Sequence, residues 1–262
     1  MSFKSNSMGV KRRIIDGVLR RMGYVRANSI AADADADICF DQEFLNIYLQ
    51  CKDYTMVSIQ KSFALYNAVR YIVQNKIPGD FVECGVWKGG QAMLISLTLQ
   101  KEREGGRKLY LYDTYTGMTE PGLVDVHIKD KEKAHHRWEA EEQLDHNEWC
   151  YASLDEVQKN VISTGYPVEQ LVFIKGKVEE TIPATIPQNI ALLRLDTDWY
   201  ASTYHELQHL YPRLAEGGVL IIDDYGTWEG SRKATEQYIE EQNLASLFVK
   251  IGKSGRIALK RS

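Results

Sequence analysis

Short apolar runs alternate with amphipathic stretches along this chain, and most of the runs stop abruptly on a glycine or an acid. Residues 81–84 stop at Gly85, residues 108–112 at Asp113, residues 190–195 at Asp196 and residues 219–222 at Asp223, with a further run at 171–174. Strands separated by helices pair in parallel, because each crossover returns the chain to the same end of the sheet. The run at 190–195 is almost continuously apolar, as a central strand covered on both faces must be. Near the C-terminus, residues 247–251 and 256–260 flank Gly252-Lys253-Ser254-Gly255, a β-hairpin signal. The pattern predicts an α/β, Rossmann-like fold with a mostly parallel seven-stranded sheet and an antiparallel C-terminal hairpin.

Helices follow from spacing and caps. Ile59, Phe63, Tyr66, Val69 and Ile72 recur at helical intervals within residues 57–75, and Pro78-Gly79 stops that helix. Ser153 followed by Glu156 has the spacing of a capping box, which predicts a helix to about residue 163. Further helices are expected over 203–215 and 231–242. A chain of 262 residues suits one large α/β domain. The expected division is an extension or lid at 1–53 and a catalytic domain at 54–262. Residues 119–150 are polar and include His127, His135, His136 and His146, which suits an inserted excursion over a site.

Charge narrows the partners. A net charge of −4 gives no basic footprint for a nucleic-acid backbone, so a polynucleotide substrate is not expected. No apolar run is long enough to span a bilayer, and the basic stretch at 10–26 reads as a solvated or partner-binding helix rather than a membrane-surface one. Cys39, Cys51, Cys84 and Cys150 form no CxxC pair, which predicts reduced thiols and a cytoplasmic protein.

In open α/β sheets ligands bind at the carboxyl ends of the strands. The first such turn reads Glu83-x-Gly85-x-x-x-Gly89-Gly90; its glycines permit close approach of a ligand, although the spacing is not that of a dinucleotide fingerprint. Asp113, one βα unit later, offers the carboxylate that nucleoside-binding sheets use for ribose hydroxyls. Asp196-x-Asp198 and Asp223-Asp224 would bring four carboxylates to one rim. Asp after a strand commonly caps a helix or forms a turn. Two such pairs on adjacent strands instead favour a bound divalent cation, and all-oxygen ligands favour Mg²⁺.

These motifs together carry a resemblance. Residues 77–90, Tyr112-Asp113-Thr114-Tyr115, Leu195-Asp196-Thr197-Asp198-Trp199-Tyr200-Ala201-Ser202-Thr203 and Gly217-Gly218 through Asp223-Asp224-Tyr225-Gly226 resemble the macrocin O-methyltransferase family, over roughly Tyr54 to Tyr238. The resemblance implies a class I methyltransferase fold and a Mg²⁺-dependent transfer from S-adenosylmethionine to a hydroxyl of a sugar or glycosylated natural product. It places the cofactor at Met56, Glu83, Gly85, Val86 and Trp87, with Asp113 on the ribose and Gly176, Val178 and Glu179 near the adenine. It places metal on Asp196, Asp223 and Asp224, and makes Asp198 the general base. His135, His136, Trp138 and Tyr200 are candidates for shaping the acceptor pocket. It also favours a homodimer, in line with the commonness of two-fold symmetry, with residues 1–60 near the contact. Relatives often carry an aromatic pair after the glycine that corresponds to Gly176, where this chain has Lys177-Val178, and the excursion at 119–150 is its own.

Other readings use the same sheet. A metal-dependent hydrolase would call for a richer His/Asp pattern, and a nicotinamide oxidoreductase for the missing GxGxxG. A non-catalytic binding protein would have no reason to keep all four rim aspartates.

Overall fold

A computed structural model describes residues 35–261. The basic stretch at 10–26 and the first 34 residues of the extension expected at 1–53 lie outside the described residues.

Seven strands form one sheet: β1 (Asp80–Cys84), β2 (Leu109–Asp113), β3 (Leu171–Lys175), β4 (Ile190–Leu195), β5 (Leu214–Ile222), β6 (Val249–Ile251) and β7 (Gly255–Leu259), in the order β3-β2-β1-β4-β5-β7-β6. The first five run parallel, and β7 pairs antiparallel with both β5 and β6. Strand order reverses between β1 and β4, the switch point at which such sheets open a crevice.

One face of the sheet packs on α1 (Ala36–Phe40), α2 (Gln42–Cys51), α3 (Ile59–Gln74), α4 (Gly90–Lys101) and α6 (Leu154–Ile162), which follows α5 (Ala134–Ala140). The other face packs on α7 (Val178–Thr181), α8 (Tyr200–Leu210) and α9 (Glu229–Glu241). Ile59, Leu65, Tyr66, Val69 and Ile72 form the buried stripe of α3, whose Ser58 side chain accepts from the Lys61 N–H. Ser153 likewise accepts from Glu156 N–H and starts α6 as its spacing predicts. Phe44, Leu45, Ile47 and Cys51 of α2 lie in the same core as β1 and β2, so packing is continuous across residues 53 and 54.

Two boundaries differ from expectation. The helix expected at 203–215 is α8, which starts at Tyr200, ends at Leu210 and gives way to a tight turn over Tyr211–Arg213. Pro212 lacks the N–H that a continuing helix would need. β5 therefore begins at Leu214 and runs through Gly217-Gly218, beside a register shift against β4 between Ile190 and Leu192. The excursion at 119–150 is also less open than its polarity suggests. Trp149 packs edge-on against Trp199 and near Trp228, with ring centroids 5.5 Å and 5.9 Å away. Asp125 fastens the excursion by accepting from the Tyr200 and Gly122 N–H groups at 2.8 Å and 2.7 Å. Among the described residues no helix is long and apolar enough to cross a membrane.

Candidate active site

The carboxyl ends of β1, β2, β4 and β5 meet around a buried acidic cluster. Asp196, Asp223 and Asp224 each present a carboxylate oxygen within 4.8 Å of the others. Arg194, inside the fully buried strand β4, donates from Nη1 to Glu83 at 2.6 Å and from Nη2 to Asp196 at 2.6 Å and Asp223 at 2.9 Å. Lys61 of α3 pairs with Asp223 Oδ2 and donates to the Asp223 carbonyl at 3.0 Å. Removing one partner from such a buried ionic group typically costs about 3–5 kcal/mol, because the others are left unpaired.

The acids are not equivalent. Burial pushes Asp223 up, but Arg194 and Lys61 more than offset it and leave its carboxyl below the usual range. Burial raises Asp196 despite Arg194. Burial and the neighbouring Asp196 push Asp198 up to about 7. Asp224 is raised well above a normal carboxyl by burial and by Asp198, and its Oδ2 is buried without a hydrogen-bond partner. Five carboxylates (Glu83, Asp196, Asp198, Asp223 and Asp224) thus share two cations, Arg194 and Lys61. The surplus of negative charge, the all-oxygen donors and the orphaned Asp224 oxygen fit a hard divalent cation.

Asp198 reaches this cluster by an unexpected route. Two residues apart on an extended segment, Asp196 and Asp198 would leave the same face; instead β4 ends at Leu195 and Asp198 adopts a left-handed conformation with φ 65°. Its side chain hydrogen-bonds Asp224 and Trp228.

The cluster is the wall between two cavities. The first is narrow, and Gly85, Asp113, Gly176, Val178, Glu179 and Asp196 line it. Asp113 accepts from the backbone N–H groups of Val86 and Trp87 at 2.7 Å and 3.0 Å and of Tyr115 at 2.7 Å, so its carboxylate shapes the turn as well as facing the cavity. Val86 packs in the core with Trp87 against it, Glu83 is wholly buried on Arg194, and none of the three is in this cavity's lining. The second cavity, about 430 Å³, lies between the start of α3 and the β6–β7 turn. Asp223 and Asp224 form part of its lining, together with Met56, Lys61, Lys253 and Ser254. Met56 was expected beside the cofactor and faces this second space.

Neither cavity has His135, His136, Trp138 or Tyr200 in its lining. His135 contacts Glu120 and Glu139, and His136 is exposed. Trp138 donates to the Met118 carbonyl at 2.9 Å, and the Tyr200 hydroxyl donates to Gln237 of α9 at 2.7 Å. Sequence reasoning missed Arg194 and Lys61. An arginine within an otherwise apolar strand was the available signal, since a buried charge needs acidic partners.

The model of the macrocin-O-methyltransferase (TylF) family matches residues 48–258. The chain is 33% identical over 185 residues, 71% of its length and 67% of the relative's, to an 8-demethyl-8-(2,3-dimethoxy-alpha-L-rhamnosyl)-tetracenomycin-C 4'-O-methyltransferase of Streptomyces olivaceus. It is 30% identical over 202 residues to the demethyldecarbamoylnovobiocin O-methyltransferase of Streptomyces niveus, covering 77% of this chain and 74% of that one. Among solved structures, that of the O-methyltransferase NovP superposes with a TM-score of 0.69 at 26% identity, covering 80% of this chain and 83% of the other. A crevice at the switch point, an acidic cluster on its rim and a family match across four fifths of the sequence lead to one conclusion: the chain belongs to the macrocin-O-methyltransferase family of S-adenosylmethionine-dependent O-methyltransferases.

Proposed function

We propose that this enzyme methylates a hydroxyl of a sugar or glycosylated natural product, with Mg²⁺ held by Asp196, Asp223 and Asp224 and with Asp198 as general base. The observation that carries this reading is the acidic cluster standing between two cavities, with Asp196 on one side and Asp223 and Asp224 on the other. Such a wall suits a reaction in which cofactor and acceptor approach from opposite sides. The rhamnosyl group in the name of the tetracenomycin relative supports a sugar acceptor.

S-adenosylmethionine belongs in the first cavity, with Asp113 toward its ribose and Gly176, Val178 and Glu179 toward its adenine. Glu83, Val86 and Trp87 back that wall through Arg194 and Asp113. The acceptor belongs in the second, whose volume falls within the roughly 300–1,000 Å³ of drug-sized ligand sites. Met56 then bears on the acceptor. A bound divalent cation supplies the charge that lowers a hydroxyl's pKa. Asp198 takes the proton as the acceptor oxygen forms its bond to the methyl carbon and the sulfur–methyl bond breaks, leaving S-adenosylhomocysteine and a methyl ether. Arg194 and Lys61 keep the aspartates in place, and the elements around the cavities hold the reactants in line.

The test is a panel of glycosides and free sugars incubated with S-adenosylmethionine, with Mg²⁺ or with a chelator, and read by mass spectrometry for a gain of one methylene. Methylation of a glycoside that chelation abolishes and Mg²⁺ restores is expected. Full turnover by rigorously metal-free protein would overturn the metal assignment, and methylation confined to non-sugar hydroxyls would overturn the acceptor.

A further inference from the structure

One buried acid takes no part in the chemistry above. Glu206 lies on α8 with no exposed surface. Its Oε1 accepts from the Thr197 hydroxyl at 3.0 Å, and its Oε2 is buried with no hydrogen-bond partner. An apolar side chain would fill this place without that cost, since an unsatisfied buried polar atom costs about 1–3 kcal/mol. In return Glu206 holds the Thr197 hydroxyl and meets the Cys84 thiol at the end of β1, and of the two only Thr197 belongs to the turn after β4.

Thr197 stands between two residues of the acidic cluster. Asp198, next to it, is held left-handed, a conformation that persists in a non-glycine residue only when its surroundings over-determine it. The Thr197 carbonyl accepts from Trp199 N–H at 2.7 Å and from the Ser202 hydroxyl at 3.3 Å. Those two contacts are local to the turn and the first residues of α8. Glu206 is the contact that reaches from deeper in α8, and it grips the side chain.

We propose that Glu206 is a positioning residue: through Thr197 it anchors the turn between β4 and α8 and so holds Asp198 against Asp224. The anchor is a hydrogen bond that the Thr197 hydroxyl donates to Oε1, and the amide oxygen of a glutamine can accept it equally well. Thr197 and Ser202 also line the first cavity, so the same anchor fixes part of that wall.

The kinetic arm of the test rests on the methyl-transfer reading, whereas the exchange arm does not. Glu206→Gln, Glu206→Leu, Thr197→Val and the double variant Glu206→Leu/Thr197→Val are compared by amide hydrogen exchange over residues 196–200, by calorimetry with S-adenosylhomocysteine, and by kinetics on whichever glycoside the wild type methylates. Glu206→Leu and Thr197→Val should each speed exchange about tenfold or more. Each should also lower kcat by roughly 10- to 100-fold, the scale of a small misplacement, with acceptor KM little changed. Glu206→Gln should match wild type in cofactor-product affinity, kcat and exchange over residues 196–200, and the double variant should be no worse than either single one. Wild-type exchange and kcat in Thr197→Val would overturn the proposal, as would additive losses in the double variant. Glu206→Gln as impaired as Glu206→Leu would show that the bond accepted from Thr197 is not what Glu206 contributes, which also overturns it. If Glu206→Leu fails to fold, Thr197→Val decides. If the wild type methylates nothing, the methyl-transfer reading fails while exchange still decides the anchor.

Discussion

Asp198 combines two costs that a surface aspartate avoids. Its left-handed backbone costs a non-glycine residue about 1–3 kcal/mol, and burial beside Asp196 resists its ionisation. Both are intelligible if the carboxylate must meet one oxygen atom at one angle. Asp198→Asn keeps the shape and removes the basicity, so kcat should fall by roughly 100-fold or more, while calorimetry should find Mg²⁺ affinity little changed. Asp196→Asn should instead weaken Mg²⁺ binding, with activity partly restored at higher Mg²⁺. Near-normal turnover by Asp198→Asn would remove it from the chemistry. Glu206 yields a prediction about pH. Its folded carboxyl is raised above its unfolded value by burial, against the pull of the Thr197 hydroxyl, with Glu179, Cys84 and Asp196 as further neighbours. The folded state therefore holds a proton that the unfolded chain gives up near pH 4.5, the ordinary glutamate value, and this penalty grows as pH rises above it. Glu206→Gln removes the penalty, so the melting temperature of that variant relative to wild type should climb between pH 4 and pH 8. A flat difference would mean that Glu206 is ionised in the fold. The rim aspartates were legible because each follows a strand, whereas their counter-ions were not. Arg194 is hidden inside the run that marks β4, and Lys61 meets Asp223 across 162 residues of sequence through α3 packing. The charge balance of the site therefore became visible only with the fold.

The turn after β1 shows how elements set the distance between cofactor wall and acidic cluster. Gly85 has φ 82°, and a Cβ placed there would stand 2.0 Å from the Asp196 carbonyl oxygen, at the end of the neighbouring strand. The glycine lets two strand ends close together, a structural demand beyond the ligand approach inferred from sequence. Gly85→Ala should cost more than about 3 kcal/mol in denaturant unfolding, since backbone must move as well as strain be absorbed. Gly105→Ala is the matched control. A Cβ there meets only Pro167 at 3.9 Å, so stability should stay within about 0.5 kcal/mol or rise slightly. Equal losses at both positions would refute the close-approach argument. The existence of the strands and their mostly parallel pairing were readable because apolar runs and their acid stops repeat along the chain. The α8 to β5 boundary was not, because apolar Leu207, Leu210 and Leu214 continue a helical spacing that Pro212 interrupts. The excursion at 119–150 misled in the same way. Its polarity is genuine, but Ala134, Trp138, Trp149 and Cys150 give it a small core with Trp199 and Trp228, and four scattered residues leave no periodic trace.

At the scale of the whole molecule, the acidic cluster ties α3, β1, β4 and β5 together through charges that do not balance. A homodimer, expected from symmetry and from the family resemblance, is checked by light scattering at micromolar concentration, where a monomer mass would rule it out. A cation that binds only the folded state stabilises it by about 2.7 kcal/mol at a hundred-fold excess over its Kd. For a chain of this size each kcal/mol moves Tm by about 2–4 °C, so saturating Mg²⁺ should raise Tm by about 5–10 °C over chelated protein. The rise should saturate with concentration, as a single site does. Asp224→Asn separates this site from any other. It removes one of the crowded carboxylates, whose Oδ2 has no partner, so the chelated variant should melt at or above the wild-type temperature. It also removes a cation ligand, so most of the Mg²⁺-dependent rise should vanish. A full rise in Asp224→Asn would place the ion elsewhere on the molecule, and no rise in wild type would mean that Arg194 and Lys61 alone neutralise the cluster.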